Sequence, residues 1–354
     1  MGIEVNFLKA FNGDCIHISY KNEDNKKRNI LIDGGTKATY LSKPRGRPKY
    51  GALKTEVIDK LQKDEKIDLL IITHWDEDHI GGILKWFEED KDAKNKIGQI
   101  WFNGGLLINE YFATNHNNQN KNELNIFDSP LTSTLQGIYF EDIIADNGLW
   151  NEELIKVDKA GNNKDINFII LSPNDEKLEK LLKEWEKHPS NPYTCGEDTD
   201  YTKTIDELME FIEKEKFKED SSIHNGSSIA FILEIKNKRM LFLGDSHPSV
   251  ICESLKKLKE SLPIKCDFVK VSHHGSKGNT SDELLDMIDC NHFVILADGS
   301  HKGLPHKETL VRIIRKKEGC SLYFNYDDLI QDIFEDDELD DKRFKVKFVE
   351  NLVL

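Results

Sequence analysis

The sequence predicts an α/β protein, and three patterns support that fold class. Residues 3–20 contain two stretches that alternate apolar and polar side chains, which is typical of short antiparallel strands. The apolar run 67–72 indicates a buried strand, and Gly81 and Gly82 after it open an amphipathic helix. A predicted strand at 267–271 is followed by a helix and then by another strand. Strands and helices are therefore mixed along the chain.

Composition sets the size of the fold and excludes some functions. The chain has 354 residues, of which 38% are hydrophobic, enough for one large domain with an insertion or for two domains. No apolar run approaches the roughly 20 residues of a membrane helix, and no signal peptide begins the chain. We therefore expect a cytoplasmic protein with no membrane partner. The formal charge of -15 argues against nonspecific binding to nucleic acid over the whole surface.

Residues 73–82 carry the densest chemistry in the sequence. His74, Asp76, Asp78 and His79 are all of metal-ligand type, and they follow the predicted buried strand. Alternate residues of an extended segment share a side, so His74 and Asp76 point the same way while Asp78 and His79 diverge toward a second position. This geometry suits two metal ions a few ångströms apart. The alternative is a polar loop with Asp78 as the helix N-cap and both histidines solvated.

This stretch resembles the His-x-Asp-x-Asp-His-x-Gly-Gly signature of metallo-β-lactamase-fold hydrolases, in the form carried by the soluble domain of ComEC DNA-uptake proteins. The resemblance implies a four-layer αββα sandwich of the α/β (α+β) class with a helical insertion. The commoner signature has His where this chain has Asp76. A carboxylate there shifts the preference from zinc toward manganese, magnesium or iron. The implied cofactors are two divalent ions, manganese or zinc, with magnesium or iron as alternatives.

Two turns near the N-terminus resemble further motifs of this family. The sequence Leu-Ile-Asp-Gly-Gly around Asp33 resembles the superfamily's first motif, in which the Asp supports the ligand loop through hydrogen bonds. An ordinary Asp-Gly turn is the alternative for Asp33. The Gly13-Asp14 turn resembles the one that opens the ComEC-type domain.

The sequence downstream of residue 220 resembles the second half of the ligand set. Asp245 ends a predicted hairpin, as does the family's Asp that bridges both metals. His224 has the spacing of a third imidazole ligand of the first site, with a loop histidine as the alternative. ComEC-type members tend to lack this His and to keep an Asn and a Ser, which match Asn225 and Ser228 as supporting residues.

Residues 272–276 resemble the His-His-Gly-Ser signature of the same subgroup. We expect His273 or His274 to face the metals or the scissile phosphate, with His273 as first choice. Both are candidate catalytic residues, together with Asp78, which is implied to orient the nucleophile or accept its proton. Further on, Leu304 stands where the family has a ligand histidine. His306 is the predicted last ligand of the second metal site, and the histidine at 301 is the reserve.

Residues 37–54 form the one long basic stretch without an acidic residue, and Pro and Gly make it a loop. Arg45, Arg47 and Lys49 are the candidate substrate-binding residues, because the loop connects two elements that end in site motifs and would contact phosphates across the site's mouth. Interleaved tyrosines would offer stacking surfaces. A solvated loop is the alternative.

The resulting hypothesis has residues 1–103 and 221–354 as the two halves of one metallo-β-lactamase-fold domain. Residues 104–220 are a predicted insertion, acting as a lid or as a contact with a second copy or a partner protein. The implied function is metal-dependent hydrolysis at a dinuclear site with a bridging hydroxide, by a phosphodiesterase or nuclease acting on DNA or RNA. The alternatives are a hydrolase of a small ester, thioester or lactam, and a non-catalytic binding module in a multi-protein system.

Overall fold

The computed structural model describes residues 2–115, 133–145, 148–150, 153–163, 165–185, 199–301 and 303–354. In chain order the strands are β1 (Glu4–Phe7), β2 (Ile16–Lys21), β3 (Lys27–Ile32), β4 (Leu41–Ser42), β5 (Lys49–Tyr50), β6 (Leu69–Ile71), β7 (Ile100–Trp101), β8 (Ala160–Asn163), β9 (Ile166–Ser172), β10 (Ala230–Ile235), β11 (Lys238–Phe242), β12 (Ile264–Lys265), β13 (Phe268–Lys270), β14 (Ile288–Asp289), β15 (His292–Ile295), β16 (Cys320–Phe324), β17 (Phe344–Phe348) and β18 (Asn351–Val353).

The α-helices are α1 (Lys37–Tyr40), α2 (Glu77–Glu89), α3 (Gly105–Asn115), α4 (Ser133–Ala145), α5 (Asp175–Trp185), α6 (Ile205–Lys214), α7 (Ile223–Gly226), α8 (Pro248–Lys257), α9 (Asp282–Asp286), α10 (Lys307–Lys316), α11 (Asp328–Ile333) and α12 (Asp336–Leu339). A 3-10 turn at Ser272–Gly275 follows β13. None of the helices in the described part of the chain combines the length and the apolar character that crossing a membrane requires.

In the described residues the strands form two large sheets. The first has the order β18-β1-β2-β3-β6-β7, and the second has the order β17-β16-β15-β13-β11-β10-β9-β8. The antiparallel run β1-β2-β3 confirms the strands predicted from residues 3–20. The predicted buried strand and the helix after it are β6 and α2. His74 and Asp76 lie on the connection between them, whereas Asp78 and His79 lie in the first turn of α2. The helix begins at Glu77, before the predicted opening at Gly81 and Gly82.

Three apolar clusters fill the spaces between four layers. One cluster, with Val5, Phe231 and Phe268, lies between the two sheets. A second packs helices that include α2 and α5 on the first sheet, and a third packs α6, α8 and α10 on the second. Apolar side chains on both faces of each sheet require cover on both sides, which is the αββα arrangement implied by the resemblance.

Part of the predicted insertion belongs to the sandwich itself. Strand β9, at residues 166–172, pairs antiparallel with β10 along its whole length and so extends the second sheet. Trp185 of α5 packs in the same cluster as Trp75 beside the ligand loop. Strand pairing and apolar packing therefore join part of residues 104–220 to both halves of the predicted domain.

Candidate metal centre

The predicted ligands follow the carboxyl ends of strands in both sheets. Asp33 follows β3 and His74 follows β6, and these strands are parallel neighbours in the first sheet. Asp245 follows β11 and His273 follows β13, which are parallel neighbours in the second sheet. Because parallel strands end at the same edge, each sheet brings its two motifs together, and side chains from the two edges meet in a buried cluster.

His74, His79 and Asp245 form one group of closely spaced ligand atoms. Oδ2 of Asp245 lies 3.3 Å from Nε2 of His79 and 3.8 Å from Nε2 of His74. All three side chains are almost completely buried. Asp245 therefore lies between ligands predicted for different metal positions, as a bridging carboxylate would.

Asp78, His79 and His274 form a second group. Nε2 of His274 lies 3.5 Å from Oδ2 of Asp78 and 3.8 Å from Oδ2 of Asp245. The ligand atoms of each group lie within 4.8 Å of one another. The two groups share His79, and Asp245 of the first group lies 3.8 Å from His274 of the second, so the described residues offer two adjacent cation positions.

Several buried polar atoms in this cluster point to a bound cation. Nε2 of His74, His79 and His274, and Oδ1 of Asp245, are buried without a hydrogen-bond partner among the described residues. Leaving a buried polar atom unsatisfied costs about 1–3 kcal/mol. Imidazole nitrogens and carboxylate oxygens are the ligands of divalent transition metals, so a pair of such ions fits this donor set.

Asp76 extends the first position toward His224. Its Oδ2 lies 3.6 Å from Nε2 of His74, and its Oδ1 lies 2.9 Å from Nδ1 of His224. Asp76 is the N-cap residue of α2, but its side chain makes no capping hydrogen bond. This observation argues against a loop that serves only to cap a helix. Among the described residues, Asp76 and His224 lie outside the groups of closely spaced ligand atoms.

Asp33 orients the ligand loop from behind. Its carboxylate accepts hydrogen bonds from the backbone N–H and the hydroxyl of Thr73, at 2.8 and 2.7 Å, and lies 2.8 Å from Nδ1 of His79. The fully buried carboxylate favours a proton on Nδ1, which leaves the Nε2 lone pair of His79 toward the centre. Asp33 thus makes the supporting contacts that the resemblance implied.

Asn225 and Ser228 also lie behind the ligands. The hydroxyl of Ser228 accepts a hydrogen bond of 3.1 Å from the backbone N–H of Asp245. The amide of Asn225 donates to Asp220 at 2.7 Å, and Asp220 lies 3.6 Å from Nδ1 of His273. Asn279 accepts from this same Nδ1 at 3.0 Å and donates to the carbonyl of Asp245 at 3.1 Å.

The two histidines after β13 have different environments. His274 is buried and belongs to the second ligand group, whereas the side chain of His273 is 18% exposed and its Nε2 lies 3.9 Å from Oδ2 of Asp245. His274, rather than the first choice His273, therefore lies closest to the predicted second position. Both residues have positive φ, 47° and 51°, a strained conformation that turns both rings toward the centre.

His306 lies at the start of α10, outside the ligand groups of the described residues. It is the N-cap residue of α10, and its Nδ1 accepts a hydrogen bond of 3.2 Å from the backbone N–H of Lys277. Among the described residues neither His306 nor the reserve His301 belongs to a ligand group, and His274 takes the place beside Asp78 that was predicted for His306. The reason is the left-handed turn after β13, which the sequence pattern does not reveal.

The turn at Asn12, Gly13 and Asp14 packs against the second candidate metal position. The backbone N–H of Asp14 donates to the carbonyl of Asp78 at 3.2 Å, and the amide of Asn12 donates to the Asp78 carboxylate at 3.3 Å. Oδ1 of Asp14 lies 3.3 Å from Nδ1 of His274. A Cβ atom on Gly13 would lie 1.9 Å from the carbonyl oxygen of Asp78, so this position requires glycine.

Lys270 anchors that turn to the second sheet. Its ammonium pairs with the Asp14 carboxylate, and the two side chains are only 1% and 2% exposed. The sequence interpretation missed Lys270, Asp220 and Asn279 as parts of the site. A lysine within the apolar strand at 267–271 was the available indication for Lys270, because a buried charge requires a partner.

Carboxylates dominate the electrostatics of the centre. Burial opposes charge on His79 and His274, but Asp245 and its neighbours outweigh it, raising the pKa of His79 well above its usual value and that of His274 to about 10. Burial also opposes ionisation of Asp245, yet the histidines, His79 first, hold its pKa well below the usual range. The centre therefore favours positive charge, which divalent cations supply.

The basic loop at residues 37–54 runs along α2. It begins beside the ligand loop, where Glu77 accepts from the backbone of Lys37 at 3.1 Å. It then turns along α2, and the Lys43 ammonium lies 3.6 Å from Glu89 at the helix's far end, about 18 Å away. The exposed side chains of Arg45, Arg47 and Lys49 follow on the β4–β5 hairpin. The hairpin and α1 pack along α2. The role of Arg45, Arg47 and Lys49 in substrate binding stays a prediction.

A four-layer αββα sandwich with paired His/Asp ligand groups at its strand ends defines a class of metal-binding fold. The family model of the metallo-beta-lactamase superfamily matches residues 18–114 and 174–299. The chain belongs to the metallo-beta-lactamase superfamily.

Individual relatives are more distant. ComE operon protein 3 of Bacillus subtilis (strain 168) is 26% identical over 116 residues, which cover 30% of this chain and 14% of that protein. The chain thus spans a small part of this relative's length. Zn(2+)-bound PqqB from Methylobacterium extorquens is 10% identical with a TM-score of 0.43, covering 99% of this chain and 100% of PqqB. The metallo-beta-lactamase fold protein YhfI from Bacillus subtilis is 10% identical with a TM-score of 0.41 and full coverage of both chains.

Proposed function

We propose that the protein is a metal-dependent phosphodiesterase or nuclease that acts on DNA or RNA. The observation that carries this proposal is the cluster of buried imidazole and carboxylate atoms without hydrogen-bond partners, which fits two divalent ions. The carboxylate of Asp76, in place of the commoner histidine, favours the harder ions that accompany phosphate chemistry. The resemblance to the ComEC-type domain supports a phosphodiester over a lactam or thioester.

In this mechanism His74, Asp76 and Asp245 would hold the first ion, and Asp78, His79, His274 and Asp245 would hold the second. Such ions would activate a water molecule near neutral pH and polarise the phosphoryl oxygen. His273 has its Nε2 toward the centre and its Nδ1 on Asn279, so it is placed to exchange a proton with the leaving oxygen. Asp78, with a side chain 22% exposed, can orient the attacking water.

The test is a substrate screen with the purified protein loaded with manganese, zinc or magnesium. It compares single-stranded and duplex DNA, RNA, bis(p-nitrophenyl) phosphate, a β-lactam and a thioester, with metal content measured in parallel. We expect phosphodiester cleavage that is lost in Asp78→Ala and His79→Ala. Lys238→Met, in an ion pair of 2.8 Å with Asp267 away from the centre, is the control that keeps activity.

Three outcomes would count against the proposal. Cleavage of only the lactam or thioester would assign a small-molecule hydrolase. No turnover of any substrate by a fully loaded protein would assign a binding module. Failure to retain metal would remove the basis of the mechanism.

A further inference from the structure

A cavity of about 690 Å³ lies beside the metal centre. Its walls come from the segment that follows α6, from the turn at residues 276–278, and from the first turns of α10. His273 lines the cavity and also lies 3.9 Å from Asp245, so it borders both spaces. A substrate whose scissile group lies at the centre would therefore place its adjoining group in this cavity. The volume suits a group of nucleotide size.

Four acidic side chains line the cavity; three of them contact protein groups, and Glu215 pairs with no cation among the described residues. Glu219 accepts two hydrogen bonds from Ser249, at 2.8 and 2.9 Å. Asp220 accepts from Asn225 and from the backbone of Ser222. Glu308 pairs with a guanidinium of α10 at 2.9 Å. These contacts offset much of the negative charge that the walls would otherwise present.

Two lysines on the same wall have no such partners. Lys216 and Lys218 line the cavity, are exposed, and pair with no carboxylate among the described residues. They lie on the segment that carries Asp220 to the centre. The two ammonium groups outnumber the single carboxylate of Glu215 on this wall, and in a protein with a formal charge of -15 this excess positive charge favours an anionic ligand over a neutral one.

The cavity also has aromatic surface. Phe217 is partly buried in the wall, and the guanidinium of Arg312 lies 5.3 Å from its ring centroid. Phe211 is 41% exposed at the rim. Aromatic rings interleaved with cations are the features that bind single-stranded nucleic acid, since bases stack on the rings while phosphates contact the cations.

We propose that this cavity binds the nucleotide next to the scissile phosphodiester, with Lys216 and Lys218 at its phosphate and Phe217 at its base. The proposal rests on the proposed function and specifies its substrate as a nucleic acid with an unpaired nucleotide at the cleavage site. A duplex keeps its bases stacked inside, so the strand must be single or locally opened to fill the cavity.

The experiment compares Lys216→Ser/Lys218→Ser with wild type on a short single-stranded oligonucleotide and on bis(p-nitrophenyl) phosphate, which lacks nucleotides. The matched control is Lys60→Ser/Lys63→Ser, which removes two exposed cations from the helical layer on the opposite sheet. We expect KM for the oligonucleotide to rise about tenfold with kcat unchanged. The magnitude of the slope of log(kcat/KM) against log salt should fall by about 0.7, because the neutralisation of one phosphate is lost. Kinetics on the small phosphodiester should not change.

A binding measurement separates this proposal from the proposed function. Calorimetric titration of the metal-loaded proteins with thymidine monophosphate should show binding weakened about tenfold in Lys216→Ser/Lys218→Ser, but not in the control. The cavity assignment would be overturned if Lys216→Ser/Lys218→Ser kept the wild-type KM and affinity, or if both double variants lost affinity equally. Phosphodiester cleavage by wild type would stand in either case. If wild type cleaves no phosphodiester, the proposed function fails. In that case, thymidine monophosphate binding that is equal in wild type and in Lys216→Ser/Lys218→Ser would overturn the cavity assignment as well.

Discussion

Replacement of Lys270 by Met tests whether the buried pair with Asp14 assembles the second metal position. The change removes a cation and keeps a side chain of similar length, so the Asp14 carboxylate stays buried without its counter-ion. Burial raises the pKa of Asp14, but Lys270 and the neighbouring histidines outweigh it and hold the value at about 2. This departure from 3.8 corresponds to on the order of 2 kcal/mol of stabilisation at neutral pH. Breaking one side of a buried pair costs about 3–5 kcal/mol.

We therefore expect the Lys270→Met variant to lose about 2–5 kcal/mol of unfolding free energy at pH 7, measured with urea. We also expect the variant to bind one ion less than wild type by mass spectrometry, because the Asp14 turn contacts both Asp78 and His274. The double variant Asp14→Asn/Lys270→Met should recover part of the stability, since no uncompensated charge remains.

The control for this experiment is Lys238→Met. Lys238 lies on the adjacent strand β11 and pairs with Asp267 at 2.8 Å, but that pair is partly exposed and its loss should cost at most about 1 kcal/mol. A Lys270→Met variant that is no less stable than Lys238→Met and binds both ions would refute the reasoning.

Three further substitutions test other contacts. Asp33→Asn should weaken metal binding about 10–100-fold in chelator competition, because the charged acceptor of His79 is lost; wild-type affinity would contradict this. Gly13→Ala should lower metal content, since its Cβ would lie 1.9 Å from the Asp78 carbonyl oxygen. Full metal occupancy with wild-type stability would show that the turn can move to accommodate the Cβ atom. Burial raises the pKa of Glu141 from 4.5 to about 8, so its contribution to stability is present below 4.5 and is lost as pH rises through 8. Glu141→Gln should have a higher free energy of unfolding in urea than wild type at pH 9 and nearly the same value at pH 4.5. An equal increase at both pH values would exclude ionisation of Glu141 as the cause of the difference.

The sequence by itself was sufficient to predict the features that depend on residues close together in the chain. The spacing of His74, Asp76, Asp78 and His79 after an apolar run predicted a ligand loop between a strand and a helix. Strand β6 and helix α2 confirm those two elements, although Asp78 and His79 lie in the first turn of the helix and not on the loop. The alternation near the N-terminus predicted the antiparallel strands. Such features depend on contacts between near neighbours in the chain, and periodicity records them directly.

The tertiary structure decided which distant side chains meet. His274 lies beside Asp78 because two consecutive residues after β13 have positive φ, and no pattern of residue types predicts that conformation for histidine. The pair of Lys270 with Asp14 joins strand β13 of the second sheet to the turn between β1 and β2 of the first, so it exists only once the sheets have packed. The basic loop runs along α2 because its hairpin and α1 pack on that helix. Each of these placements depends on how strands and helices pack across layers, and a linear pattern contains no information about that packing beyond which residues are apolar.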